Sequence, residues 1–532
     1  MKKQVLSVWV FCSALGIAQA QTDVTKEYLV NPSFETLKAA DGATDVTVKT
    51  KLENGLYGWE ISRLGNNGNS TFQVESQESG SSSDFPGNGF IVPTEGTYYY
   101  FNSQTWMYGS NESVIKTQTS KPLEAGNYYL TIDYKAADYS NNNTDGNGTS
   151  LGLKVHKAGS EELLGENTAV RRAYSVINNN ASPNGDKYMQ DAPWDKMGVM
   201  FTITESSNID ITIAQTLKSR GRSDVAYDNL KLYKMDEISE SFPLDVSFLI
   251  SNANDYAFGG WKMEGGNTFQ INTWSTEGNT DGSNMTTPFI QDHVGKENKA
   301  ANAIISHTSN YLIPGIYEVS GLIRVLNEAG GAAPSGATLY ANEGSTDACA
   351  GTSCTNGVYG TYTVKGTVGT DGVLTFGIKV ANANFNWVSF KDFKLQYLGA
   401  ATTGQLKAIL KEKMTEAQAC VANCSKGIAA IVNAAITQGN NAQDTEESLN
   451  AAITALTQAA PATEAFKTLM ATCQGYANHS SAEESVKQAF QKAMTDAQAA
   501  LDAATTVESI QEATKPLQTA CETYILNAAP EA

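Results

Sequence analysis

The chain has 532 residues, with 37 Lys and Arg against 56 Asp and Glu, and a formal net charge of −19. No basic stripe interrupts this acidity, which excludes nucleic-acid binding driven by counterion release from phosphates. Only four histidines, His156, His293, His307 and His479, are present, without metal spacing, so zinc-water or triad chemistry lacks its commonest base.

The N-terminus carries Lys2 and Lys3, then a mostly apolar stretch and Ala18-Gln19-Ala20. This pattern predicts an export signal over residues 1–20, cleaved before Gln21. A lipoprotein reading of Cys12 is the alternative, although Phe11 stands where a small residue is expected. No later apolar run reaches the roughly 18 residues needed to cross a bilayer. The mature chain is therefore expected in the periplasm, at the cell surface or outside.

From residue 24 to 398 the sequence is rich in Gly, Asn, Ser and Thr. Alternating runs such as YYLTIDYKA (128–136), GVMFTIT (198–204) and VLTFGIKV (373–380) are broken by turn residues. Period-two patterning of this kind predicts antiparallel sheets in a sandwich or barrel. The region is also doubled, with matches in the same order. LVNPSFE leads to Gly58-Trp59 and LISNAND to Gly260-Trp261; LEAGNYYLTIDYKA pairs with LIPGIYEVSGLIRV; the hairpins 198–213 and 361–380 correspond; VAYDNLKLY (225–233) answers VSFKDFKLQY (388–397). Two copies of one sandwich are expected, over 24–236 and 243–399.

After Gly399 alanine dominates and apolar residues take helical spacing, as in LKAILKEKM. DTEESLNAAITALTQAA (444–460) resembles TTVESIQEATKPLQTAC (505–521), each opening with a threonine suited to an N-cap. The region 402–530 is thus read as two three-helix units, about 402–460 and 462–528.

Seven cysteines become six once Cys12 is cleaved away, an even number that in an exported chain points to disulfides. Cys349 and Cys354 are placed to staple a Gly/Ser/Thr-rich loop. Cys473 and Cys521 fall on the first and last helices of the second helical unit, which leaves Cys420 with Cys424. Their spacing matches no tetrahedral zinc pattern.

Motif matches to catalysis are few. GTSLG (148–152) fits G-x-S-x-G, yet a loop precedes its serine and a strand pattern follows, unlike a nucleophile elbow. Asn141, Asn143, Asp145 and Gly146 imitate the start of a calcium loop, but Gly152 stands where a bidentate glutamate belongs. Aromatics in polar loops suggest sugar stacking, with nearby amides and charges bonding hydroxyls. Trp106, Tyr108 and Trp194 are candidates in the first sandwich, and Trp274, Arg324 and Asn327 in the second. Packing is the competing reading for each aromatic. Trp59 and Trp261 repeat at equivalent places and are assigned to the cores.

The combination NPSFE, GW, L-x-AG-x-YYL and YDNLKLY resembles jelly-roll carbohydrate-binding modules with a galactose-binding-like fold. The second sandwich is similar to modules of exported Bacteroidetes proteins, and the tail resembles FIVAR-type three-helix units. The resemblance covers about residues 25–399. It implies a structural calcium in the first sandwich held by Glu35 and Asp228; two solvated carboxylates are the competing reading. Lys391 aligns with Asp228, so the second copy is expected to lack the ion.

The expected fold is two tandem antiparallel jelly-roll β-sandwiches followed by an all-α helical bundle region. The expected function is non-catalytic glycan recognition by an exported protein. A structural or adhesive surface protein, whose sandwiches bind protein partners or act as spacers, is the alternative.

Overall fold

The computed structural model of the chain describes residues 21–64, 69–77, 91–105, 111–138, 149–172, 174–175, 194–217, 222–236, 238–250, 260–266, 270–272, 289–342, 344–349, 359–421, 426–477 and 483–527. The expected export signal and the loop 141–148 lie outside these residues. A β unit ends at Ala400 and a helical unit begins at Ala401.

The first half of the β unit runs β1 (Gln21–Asp23), helix α1 (Thr25–Tyr28), β2 (Gly55–Leu56), β3 (Trp59–Leu64), β4 (Asn69–Ser76), β5 (Tyr98–Thr105) and β6 (Asn111–Gln118). It continues with β7 (Gly126–Asp138), β8 (Thr149–Lys157), β9 (Leu163–Arg172), β10 (Tyr174–Ser175), β11 (Asp195–Ile203), β12 (Ile209–Leu217) and β13 (Arg222–Met235). The second half has β14 (Leu244–Asp245), β15 (Trp261–Gly265), β16 (Gln270–Asn272), β17 (Phe289–His293), β18 (Ala303–Ser309) and β19 (Gly315–Leu326). It closes with β20 (Ala337–Ala341), β21 (Gly344–Asp347), β22 (Gly360–Val368), β23 (Leu374–Val380) and β24 (Trp387–Tyr397).

In the first sandwich one sheet has the order β10-β7-β13-β5-β4, with β11 on β7 and β1 on β13; the facing sheet is β2-β3-β6-β12-β8-β9. The second repeats this as β16-β17-β24-β19-β22, with β14 on β24, over β15-β18-β23-β20-β21. Pairing is antiparallel except where the two residues of β10 run parallel to β7. The quoted closing strands, β13 and β24, are the central strands of their sheets. Such a strand pairs on both edges, so its alternation is most constrained.

Local details show why the two halves fold alike. Asp23 accepts from the Thr25 N–H and Asp245 from the Ser247 N–H, both at 2.9 Å. Thr25 Oγ1 then accepts from Leu232 N at 2.9 Å, and Ser247 Oγ from Leu395 N at 3.0 Å, so a hydroxyl latches each entry segment to its last strand. Each last strand carries a register shift against its neighbour, with Asn229 (φ 57°) and Asp392 (φ 52°) in the left-handed region that Asn and Asp tolerate. Trp59 and Trp261 are buried, as their repetition predicts. Trp59 Nε1 donates to Asn31 O at 2.9 Å, while Trp261 packs edge-on against Phe376 and Phe393.

Gly126 and Gly315 open the corresponding strands β7 and β19, both at φ 152°. At Gly315 a Cβ would overlap the Gly399 carbonyl oxygen and the Tyr397 ring. Gly315→Ala is therefore expected to destabilise the second sandwich by about 2–4 kcal/mol, read as an earlier midpoint in urea unfolding.

The two sandwiches share packing. Tyr129 and Met200 from the first belong to the same apolar cluster as the second core. Tyr129 stacks on Tyr233 at 4.7 Å and on Phe248 at 5.2 Å, and Asn167 Nδ2 donates to Gly198 O (2.9 Å) and Phe248 O (3.4 Å). Polar anchoring beside stacked rings makes the joint specific in orientation.

The helical unit contains α2 (Thr403–Val421), α3 (Lys426–Asn440), α4 (Glu446–Ala477), α5 (Glu484–Asp502) and α6 (Val507–Asn527). Thr445 and Thr506 cap the repeated starts by accepting from Ser448 N (3.3 Å) and Ser509 N (3.2 Å). The expected break near 461 is not made: α4 runs on for 32 residues through Pro461. An interior proline costs about 3 kcal/mol, and the alanines around it offer the highest helical propensity to offset that. Among the described residues no helix is long and apolar enough to cross a membrane.

Candidate functional site

Strand alternation gives each sandwich a core face and an outer face. In the first, Tyr100, Val225 and Tyr227 belong to the core cluster, so Phe101, Ala226 and Lys135 point outward. Register aligns Gln73, Phe101, Ala226 and Lys135 in one row across β4, β5, β13 and β7. The equivalent row of the second sandwich holds Gln270, Gln291, Ser389 and Arg324 across β16, β17, β24 and β19. One row on, Ser103 and Asp224 correspond to His293 and Trp387.

An outer face of a sandwich is ordinarily polar and wet. These faces are polar and buried: Asp224 is 0% exposed, Glu75 2%, Trp387 3% and Arg324 4%. Burying such groups costs several kcal/mol each unless they find partners.

In the second sandwich the partners form one cluster. The Arg324 guanidinium lies 4.0 Å from the Trp387 ring centroid, and the His293 ring stacks on the same indole at 4.3 Å. Trp387 Nε1 donates to Gln291 Oε1 at 3.1 Å. Glu328 Oε2 meets His293 Nε2 at 2.8 Å and accepts from Asn386 Nδ2 at 2.6 Å, while Asn386 Oδ1 accepts from Glu328 N at 2.9 Å. Burial pushes the Glu328 carboxyl upward, but the His293 and Asn386 bonds outweigh it and hold it below its ordinary value. Tyr359 donates to Ser389 Oγ at 2.8 Å, and the Lys391 ammonium lies 5.6 Å from the Tyr359 ring.

In the first sandwich Tyr99 donates to Glu75 Oε2 at 2.8 Å, Gln73 donates to the other carboxylate oxygen, and Ser103 donates to Asp224 Oδ1 at 2.6 Å. Burial, more than any neighbour, raises Glu75 above the usual carboxylate range, and Tyr99 rises with it.

Of the residues expected to bind ligand, Trp106, Tyr108 and Trp274 lie outside the described residues. Trp194 is half-buried against Ile91, Tyr99, Phe101 and Ala226, with Nε1 donating to Val92 O at 2.9 Å, so it covers the outer face. Arg324 is in the cluster just described. Asn327 closes the turn after β19 instead: its Nδ2 donates to Gly330 O at 2.9 Å and its carbonyl accepts from Gly330 N. Trp387, His293, Gln291, Glu328 and Asn386 were not singled out from the sequence. The signal available was Phe289, Gln291 and His293 alternating with Ile290 and Asp292, an outer face with an amide and two rings. Ser150 of GTSLG sits in β8, with strand on its C-terminal side.

Glu35 and Asp228 converge on one segment, residues 94–98. Asp228 Oδ2 accepts from Thr94 N (2.7 Å), Thr94 Oγ1 (3.0 Å) and Glu95 N (2.9 Å), and Oδ1 from Asn229 N (2.7 Å). Glu35 Oε1 accepts from Thr97 N and Tyr98 N, each at 2.9 Å. These are clasps made of N–H and O–H donors, whereas a calcium cage needs six or more oxygen ligands. No group of three or more His, Cys, Asp or Glu suited to a metal exists among the described residues. In this arrangement the two carboxylates clasp a backbone segment.

Cys473 of α4 and Cys521 of α6 are buried thiols in hydrogen-bond contact, and burial, then the neighbouring thiol, pushes Cys473 up to about 12. Cys349 is half-buried just after β21, with its N–H donating to Asp347 Oδ1. Cys354 and Cys424 lie outside the described residues, as does the side chain of Cys420.

The architecture is that of two tandem jelly-roll β-sandwiches with an all-α C-terminal region. No family model and no curated protein matches the chain. Among solved structures it is similar to TmCBM61 in complex with β-1,4-galactotriose, at 16% identity over 39% of this chain and 97% of that one, TM-score 0.23. It is also similar to an apo cyclase from Fischerella sp., at 15% identity over 41% and 99% of the two chains, TM-score 0.25. A third is the CBM22-1-CBM22-2 tandem domain of Paenibacillus barcinonensis Xyn10C, at 10% identity over 72% and 99%, TM-score 0.21. What those proteins bind or convert rests on their own residues.

Proposed function

We propose that this is an exported, non-catalytic protein that binds glycans on the outer sheet faces of its two sandwiches. The observation that carries the reading is the pair of polar outer faces at equivalent register positions, each setting rings beside amides, hydroxyls and charged groups. Aromatic rings bordered by amides, hydroxyls and a cation suit a sugar, whose apolar face stacks while its hydroxyls take the hydrogen bonds. Glycan-array screening of the mature chain, followed by titration calorimetry on the positives, is expected to give saturable binding without release of reducing ends. Absence of binding across the array, or turnover of any positive, removes the proposal. A spacer role has one observation in its favour, the packed joint between the sandwiches through Tyr129 and Phe248. A spacer leaves tryptophan fluorescence unchanged with every glycan.

Export also implies an oxidising compartment, where Cys473 and Cys521 are proposed to bond. Mass spectrometry after alkylation without reductant is expected to leave both unmodified, and a Cys473→Ser variant to expose one alkylatable thiol at position 521.

A further inference from the structure

We propose that the groove between α5 and α6 is a docking surface for a cationic segment of a partner protein, a lysine- or arginine-rich helix with a stripe of small apolar residues. The groove has a volume of about 660 Å³. Ala493, Ala497 and Ala500 line it from α5, one helical turn apart, and Ala513 and Pro516 line it from α6. Side chains this short let a third helix come close, and a helix laid in such a groove is recognised by its apolar stripe and the charges that flank it. The rim supplies the opposite charge, from Asp496, Glu508 and Glu512.

Two features of α6 call for a cation that donates hydrogen bonds. Asp496 is paired with Lys492 at 2.6 Å, but Glu508 and Glu512 make no ion pair among the described residues. They stand four residues apart on one helix face, where like charges repel and a cation between them removes the cost. The second feature is Pro516, which lies inside α6. It has no N–H, so the Glu512 carbonyl four residues back receives no donor from it, and an acceptor is left beside the two carboxylates. An ammonium or guanidinium answers both at once. The internal repeat shows that neither feature is needed to build such a helix. Thr445 caps the start of α4 as Thr506 caps that of α6, and Glu447 stands at the place of Glu508, yet α4 has Ala451 and Ala455 where α6 has Glu512 and Pro516. A second copy of this chain is the poorer occupant, because a net charge of −19 sets acidic surface against acidic surface.

The test is fluorescence anisotropy of two labelled helical peptides with the full mature chain, one a lysine-alanine repeat and the other the same sequence with glutamate for every lysine. The lysine peptide is expected to bind saturably, more weakly as salt rises, and the glutamate peptide not at all. Glu508→Gln with Glu512→Gln is expected to weaken binding at least tenfold, while Glu446→Gln with Glu447→Gln, the same charge change in the first repeat, leaves it unchanged. Pro516→Ala alters no charge and returns a donor to the Glu512 carbonyl, so it is expected to weaken binding about threefold. Circular dichroism checks that each variant keeps its helices. Equal weakening by the two double variants overturns the proposal, showing attraction to the acidic chain as a whole. Binding of neither peptide overturns it too, as does a chain that sediments as a dimer and is dispersed by the Glu508→Gln and Glu512→Gln changes.

Discussion

Asp228→Ala is expected to lower the stability of the first sandwich by about 3 kcal/mol. The carboxylate accepts from Thr94 N, Thr94 Oγ1, Glu95 N and Asn229 N, and it is fully buried, so alanine leaves several donors with no replacement partner inside the protein. Asp228→Asn keeps one acceptor and is expected to cost less. A distinct pH signature goes with it, because burial raises Asp228 to about 6 in spite of those bonds. The unfolded carboxyl titrates near ~3.9, so between the two values the folded state holds more protons and this group makes stability rise as pH falls. A rise of that size corresponds to about 3 kcal/mol as an upper figure. Glu95, held down by its bond to Lys231, contributes with the opposite sign and is present in both proteins. Urea unfolding at pH 7 and pH 4 is therefore expected to show a stabilising increment on acidification in the wild type that Asp228→Asn lacks. An identical pH dependence in both proteins would remove the clasp assignment.

The second large effect is at Trp387. Alanine there removes a buried indole in contact with Arg324, His293 and Gln291, at an expected cost of about 3–5 kcal/mol, read by denaturant unfolding of the second sandwich. Trp387→Phe keeps an apolar ring and loses the Nε1 bond to Gln291. It is expected to fold, to weaken glycan binding at least tenfold and to lose the ligand-dependent part of the fluorescence change. Unchanged affinity in a folded Trp387→Phe protein would show that the indole only packs.

The duplication was legible because it rests on local chemistry that repeats in order. A glycine precedes a core tryptophan, a turn with glycine opens β7 and β19, and the closing strands alternate alike; the Asp23–Thr25 and Asp245–Ser247 latches and the left-handed Asn229 and Asp392 repeat as well, but only the structure brings them out. The helical starts were legible for the same reason, since Thr445 and Thr506 act within one turn of themselves. The helix through Pro461 was not, because a proline marks a break in sequence while its cost is weighed against the helix on both sides.

The outer-face cluster shows the other limit. Alternation in β17 and β24 states that Gln291, His293, Trp387 and Ser389 share a face, and a polar face of a sandwich reads as solvated. Arg324 stands out in the sequence as a charge in an apolar strand, while Asn327, grouped with it by proximity, closes a turn.

By itself the sequence determined the class of protein: paired antiparallel sandwiches, their cores around Trp59 and Trp261, and a capped helical tail. Tertiary structure alone decided which outward residues are covered, that Arg324 meets Trp387 while Asn327 does not, and that Glu35 and Asp228 grip a backbone segment. The physical reason is that a period of two reports the face of a sheet on which a side chain stands. Burial and partnership depend on strands and loops brought from far along the chain, about which the local pattern carries no information.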